Sequence, residues 1–467
     1  MTNFFDELLN TCGFESAEIE KENTRIENTF RKLGLGPDDM KTADKWVRAN
    51  HDVSLLGVRK LLGAWLKELI DLVLAKEEGK KVVYYGFPTI AGPGMSIRAA
   101  APDTVYSGCP DVILCHTLGQ IFNKLSPILQ AGEQNGLPPG HGLCSLQTIR
   151  VGALEKGIIP IPDLVLTSSY YCDAGSKTDE LLHERYGHPA IYVDGSMDSR
   201  WGEYPEYSSE RVEFLGAEIN DLFAAVEDII GVKVTTEAWD EAMSVSRHLF
   251  SGISRSNRLI KADPMPVSQA EVGLATWLAT GCTGRAIKDG PAAIDILNQE
   301  IQERVEQGIG IMEKGAPRIM MILTNYTDPS IIRMMEKEGL AVCATLFSSA
   351  PPKNKSKRVY ATLGERIADS EMRIGFFHST YGKIQRTVKA IEELEIDGVI
   401  WNYLYNCRPL SLTSHLLKKW VEENMRIPTL SLETDNFDTR SYSAESMRTR
   451  VETFADILRA RKASRDE

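Results

Sequence analysis

"PDLVLTSSYYC", residues 162 to 172, runs an apolar strand into a short polar turn and then a cysteine, and "DGVIWNYLYNC", residues 397 to 407, repeats that plan in different letters. The likeness continues downstream. After Cys172 come the helix-forming "SKTDELLHERYG", Pro189 and a β-rich run ending at Asp194. After Cys407 come "SLTSHLLKKWVEENM", Pro428 and a run ending in "LETD" at Asp435. Strand, Cys, helix, Pro, strand, Asp is one βαβ unit, and its double occurrence points to an internal duplication of architecture.

Working outward, residues 1–80 are rich in helix formers, and "VSLLGVRKLLGAWLKELIDLVLAK" repeats apolar residues at three- and four-residue steps. This segment reads as a helical lead-in. Residues 81–235 alternate short runs ("KKVVYYGF", "PDVILC", "PDLVLTSS", "PAIYVDG") with helical patterns and read as a first α/β domain. Between 236 and 312 strand signals vanish, while Ile294, Leu297, Ile301 and Val305 share a helical face, so this is a helical connector. Residues 313–467 carry "RIMMILTNY", "LAVCATLF", "DGVIWNYL" and "PTLSLET" and read as a second α/β domain. The expected fold is therefore α/β, with two Rossmann- or flavodoxin-like parallel sheets.

The chain has 467 residues, a formal net charge of −12 and a pI near 5.4. An acidic chain lacks the basic face that nucleic acid requires, so no nucleic-acid partner is expected. No apolar run approaches the length of a membrane span, and "MTNFFDELLN" lacks the layout of a secretion signal. A cytoplasmic location without membrane contact is the expectation. There, eight cysteines are candidates for metal or redox work rather than a disulfide framework.

Parallel sheets bind ligands at the carboxyl ends of their strands, which is where Cys172 and Cys407 are expected. A third thiol, Cys144 in "GHGLCSLQTIRVGALEKG", precedes an apolar-periodic helix, whose N-terminal N–H groups favour a thiolate. No CxxC pair exists anywhere in the chain, so separated thiols suit iron better than a compact zinc knuckle. On pattern alone the alternative stays open that each cysteine is a small apolar core residue.

At these residues the chain resembles the subunits of 2-hydroxyacyl-CoA dehydratases and ATP-dependent benzoyl-CoA reductases. "CSLQTIRVGALEKGIIPIPDLVLTSSYYCDAGSK" resembles their paired-cysteine region, and the segment from "DGVIWNYLYNC" to "TRVETF" resembles their C-terminal region. The resemblance implies a [4Fe-4S] cluster held by Cys144, Cys172 and Cys407, with one iron left without a thiolate. It implies a homologous second cluster subunit, a separate iron-sulfur ATPase activator and an acyl-CoA or aryl-CoA substrate. The reaction implied is a one-electron reduction of the thioester to a ketyl radical, leading to a 2-enoyl-CoA or, in the reductases, a cyclohexadiene. ATP would act only through the activator; consistently, the chain has no GxxxxGK[ST] loop.

"YYGFPTIAGPGMSIRAAAPDTVYSGCPDVILCHTLGQIF" departs from the family's pattern and adds Cys109 and Cys115. Cys115 closes what reads as a strand and is an extra ligand candidate. Cys343 reads as strand packing; Cys12 and Cys282 have no supporting pattern. Six cysteines (109, 115, 144, 172, 343, 407) would suffice for a double-cubane protein, which stays an alternative, as do an electron relay and a two-domain ligand-binding protein without chemistry. His141 and His378 are acid–base candidates, each balanced by a purely structural role, and His116 carries the same ambiguity. Lys353, Lys355, Lys357 and Arg358 read as a solvated basic loop or a phosphate contact, and Arg440 as an ion-pair partner.

Overall fold

A computed structural model describes residues 3–86, 90–135, 144–169, 172–195, 200–281, 284–322, 327–346, 348, 358–373 and 380–466. Two four-stranded, all-parallel sheets flanked by helices confirm the α/β class. The first contains β1 (Lys81–Tyr85), β2 (Val105–Gly108), β3 (Leu164–Ser168) and β4 (Ala190–Val193), in the order β2-β1-β3-β4. The second contains β5 (Arg318–Ile322), β6 (Ala341–Thr345), β7 (Gly398–Tyr403) and β8 (Thr429–Glu433), in the order β6-β5-β7-β8. The two orders are the same, and β3 and β7 occupy equivalent positions.

The equivalence extends to single contacts. Asp163, just before β3, accepts from the Val82 N–H at 2.7 Å and donates its own N–H to the Val82 carbonyl at 2.8 Å. Asp397, just before β7, does the same with Arg318 at 3.0 and 2.8 Å. The carbonyls of Pro189 and Pro428 accept from Val165 and Val399, each at 3.0 Å. A proline at a strand's start keeps its acceptor while lacking a donor, so it can open β4 and β8 at the sheet edge.

Strands β2, β3, β5 and β6 are buried along their whole length, which is why they read as continuous apolar runs rather than alternating ones. In the second sheet, Ile319, Met321, Val342 and Ile400 face Val451, Phe454 and Leu458 of the C-terminal helix, while Met320 and Val399 join the larger core on the other face. The lead-in is helical, as expected, and its helix Leu56–Leu74 is almost wholly buried. That helix packs closely on Arg285–Gln307 because Gly57 has no side chain: a Cβ there would stand 2.5 Å from Leu297 Cα. Helices Thr236–Leu259, Gln269–Gly281 and Arg285–Gln307 fill the stretch read as a connector, with Ile294, Leu297 and Ile301 fully buried.

One expectation fails. "PDVILC" is not a strand: Pro110–Leu114 is α-helical and Cys115–Ile121 continues as a π-helix, while the strand of this region is Val105–Gly108. Pro110 stands at the first helical turn, where its missing N–H costs nothing, and every residue of the run is buried. A short apolar run buried on all sides carries no period that separates helix from strand. Among the described residues no helix is long and apolar enough to cross a membrane.

Candidate functional site

Each of the three cysteines singled out above is the N-cap of a helix. Cys144 opens Ser145–Glu155, Cys172 opens Asp173–Tyr186 and Cys407 opens Arg408–Trp420. Cys172 and Cys407 follow β3 and β7, on the carboxyl edges of their sheets, so the duplication delivers one thiol from each. The three are partly accessible, whereas Cys12, Cys109, Cys115 and Cys343 are buried.

The three thiols share one electrostatic neighbourhood. Charge on Cys172 is felt at both Cys144 and Cys407, and charge on Cys407 is felt at Cys144. Burial raises all three thiols, Cys407 to about 12 and Cys144 well above the ordinary value. Helix ends oppose this: the N–H groups of Gly175 and Ala174 lower Cys172, that of Gln147 lowers Cys144 and that of Leu410 lowers Cys407. Among the described residues no three His, Cys, Asp or Glu side chains stand close enough to chelate one metal ion.

Buried side chains from distant parts of the chain hold this arrangement. Asp435, fully buried at the end of the β8 run, accepts from the Ser145 N–H at 3.2 Å and Asn406 Nδ2 at 2.9 Å on one oxygen, and from the Phe437 N–H at 2.9 Å on the other. It therefore ties the residue after Cys144 to the residue before Cys407. Gln147, fully buried, lies one turn beyond Cys144 and its side chain reaches Cys172.

Behind the thiols, Arg150 lies between Asp111 and Asp179, all three almost completely buried. Its guanidinium is 2.6 Å from Asp179 and 3.6 Å from Asp111. Arg150 is on the helix that Cys144 caps and Asp179 on the helix that Cys172 caps, so this ion group fixes the two helices together. Gly86, next after β1, makes room for it: a Cβ there would stand 2.5 Å from Arg150 Nη1. Burial pushes Asp111 up to about 6 and raises Asp179, against the pull of Arg150.

The remaining candidates separate. His141, His378, Cys282, Lys353, Lys355 and Lys357 lie outside the described residues. Cys115 is buried and opens the π-helix rather than closing a strand; it feels the charges of Cys144 and Asp435. His116 is a core residue, stacked on Trp65 with ring centroids 4.4 Å apart, its Nδ1 paired with the Val112 carbonyl at 2.9 Å and its pKa lowered by burial to about 4. Cys343 packs in β6 against Met265, and Cys109 lies beside Asp111. Arg358 pairs with Asp369 at 3.3 Å, and Arg440 pairs with Asp438 and Glu133, the ion-pair role expected of it. Gln147 and Arg150 escape a reading of the sequence, where a polar residue inside an apolar helical face is the one signal that marks them; Asp435 is legible there as the end of the repeat but not as a residue of the site.

Comparison with known proteins places the chain in a family. The family model described as "2-hydroxyglutaryl-CoA dehydratase, D-component" matches residues 112–458. The alpha subunit of (R)-phenyllactyl-CoA dehydratase from Clostridium sporogenes is 21% identical over 394 residues, covering 83% of this chain and 92% of that one. The alpha subunit of (R)-2-hydroxyglutaryl-CoA dehydratase from Acidaminococcus fermentans is 21% identical, covering 70% and 67%. A benzoyl-CoA reductase subunit from Thauera aromatica is 21% identical, covering 68% and 78%. With a match that spans well over half of its length and includes both thiol-bearing strands and their helices, the chain belongs to the 2-hydroxyglutaryl-CoA dehydratase D-component family.

Proposed function

We propose that the chain is the [4Fe-4S]-holding subunit of a cytoplasmic radical acyl-CoA enzyme, of the 2-hydroxyacyl-CoA dehydratase type or the related benzoyl-CoA reductase type. The observation that carries this reading is the meeting of three N-cap cysteines, two of them from equivalent positions of the repeat, in one electrostatic neighbourhood. Three separated thiols fit a cubane better than a single ion, because each thiolate takes a different iron and the donors stand farther apart than in mononuclear chelation.

Cys144, Cys172 and Cys407 would hold the cluster; the Gln147 side chain would support the sulfur of Cys172, and Asp435 would lock the approach of Ser145 and Asn406. A cluster held there would supply low-potential electrons for reduction at the thioester carbonyl, the chemistry that the dehydratase and the reductase types share. The protein's own part is to hold the thiols at helix N-termini and keep the site dry around them. His141 and His378 stay the acid–base candidates. That the relatives are each named as one subunit supports a partner subunit; in this reading the partner is a homologous cluster subunit, and a separate ATP-dependent iron-sulfur activator would deliver the electron.

The test is iron and acid-labile sulfide per chain, with a visible spectrum, on protein purified without oxygen. About four of each, with a broad band near 400 nm, is the expected result. Cys144→Ala, Cys172→Ala and Cys407→Ala should each lose iron while Cys12→Ala keeps it. Full iron retention in all three of the first set would refute the proposal.

A further inference from the structure

Helix Ala91–Ala100 leaves the carboxyl end of β1 and leads to the amino end of β2, so its second half lies at the other end of the first sheet from Cys172. There it meets the connector helices Thr236–Leu259 and Arg285–Gln307 around a cavity of about 180 Å³. Met95, Ala99, Pro102, Ala242 and Val245 give this cavity an apolar wall. Arg98, only 8% exposed, lines it as well.

Arg98 is a buried cation without a counter-charge. Its Nη1 donates to the Val105 carbonyl at 2.9 Å, and its guanidinium stands 5.2 Å from the centroid of the Tyr106 ring. Among the described residues no carboxylate pairs with it, which leaves most of its N–H donors without a protein acceptor. Glu68, buried behind Gly284 of the cavity wall, takes the Tyr106 hydroxyl at 2.9 Å instead. The other arginine of the wall, Arg285, is already met by Glu22 and Asp71. Lys288, Asp103 and Glu241 line the cavity as exposed residues, where water and salt screen them. An arginine so deeply buried is ordinarily paired, so the cavity beside it is where an anion belongs.

We infer that this cavity is a binding site for a small organic monocarboxylate, with the carboxylate on Arg98 and the carbon chain against the apolar wall. The planar fork of a guanidinium matches a carboxylate in two parallel hydrogen bonds. At roughly 30 Å³ for each water-sized group, the cavity holds about six non-hydrogen atoms, the size of butyrate. Phosphate would leave the apolar wall bare and bring more negative charge towards Asp103 and Glu241. A neutral alcohol would leave Arg98 unpaired. The bound molecule would tie the first α/β domain to the connector, and the site stands independently of the cluster assignment.

The experiment is a titration of the full chain, purified without oxygen and labelled with carbon-13 in its methionine methyl groups, followed by nuclear magnetic resonance. Met95, buried in the wall, is the reporter, its resonance assigned with Met95→Leu. Butyrate, butan-1-ol and inorganic phosphate are added separately. Expected is a saturable shift of the Met95 signal with butyrate, and none with the other two. Arg98→Met should weaken butyrate by about tenfold or more, since it loses hydrogen bonds to a charged group. Ala99→Leu fills the cavity and leaves Arg98 and its bond to Val105 in place, so it decides the matter if Arg98→Met does not fold; it should abolish the shift. No saturable shift with butyrate in the wild type, an equal response to butan-1-ol or phosphate, or wild-type affinity in Ala99→Leu would each overturn the inference.

Discussion

Glu371 offers a stability prediction whose size follows from its surroundings. It lies at the end of helix Leu363–Met372, 9% exposed, beside the start of helix Ala91–Ala100 and among Ile90, Pro93, Val193, Leu215, Ile219 and Leu222. Among the described residues the Gly92 N–H is the backbone donor that acts on it, and burial outweighs that donor, raising its pKa from 4.5 to about 7. A carboxyl whose folded pKa is raised stabilises the fold fully below its unfolded pKa, and that stability is lost as pH rises through the folded value. A rise of this size corresponds to about 3 kcal/mol, most of it lost between pH 5 and pH 8. Glu371→Gln removes the titration and keeps an oxygen for the Gly92 N–H. In urea unfolding of both proteins at pH 5 and pH 8, the variant's stability relative to wild type should improve by roughly 2–3 kcal/mol at the higher pH. An offset that is the same at both pH values, or a variant that loses ground at pH 8, would refute the reasoning, because every other titrating group is common to the two proteins.

Arg150→Ala strands two fully buried carboxylates, Asp111 and Asp179, and should cost about 3–5 kcal/mol, seen as a lower thermal midpoint; a loss below about 1 kcal/mol would show that the ion group does not fasten the two helices. Asp435→Ala leaves the donors of Ser145, Asn406 and Phe437 without their acceptor and should destabilise by a few kcal/mol, with faster amide exchange at Ser145 as the specific sign. Gly57→Val drives a side chain into the backbone of Leu297 and should lower the melting temperature more than Gly36→Val, where φ is −108° and a Cβ meets only Asp39 Oδ2 at 3.9 Å; equal losses at the two positions would contradict the close helix approach.

The repeat is legible in one dimension because each of its marks is local. A strand buried on both faces reads as an apolar run, and a proline without an N–H opens an edge strand. The helical lead-in and connector are legible through their period. "PDVILC" defeats such a reading because burial on every side erases the period by which helix and strand differ. Among the site residues, the three cysteines stand out from sequence because each falls at a helix start, a position set by its immediate neighbours.

What holds those cysteines together depends on residues far apart in the chain. Asp435 meets Ser145 across 290 residues, and Arg150 is caught between carboxylates of two other helices. His116, beside a candidate cysteine in the sequence, turns instead to Trp65. The sequence by itself determined the two parallel sheets, their duplication and the three thiols at helix starts, since backbone hydrogen bonding and apolar period act within a few residues. Tertiary structure alone decided which polar groups those thiols meet, because burial and Coulomb interactions depend on distance through space and not on separation along the chain.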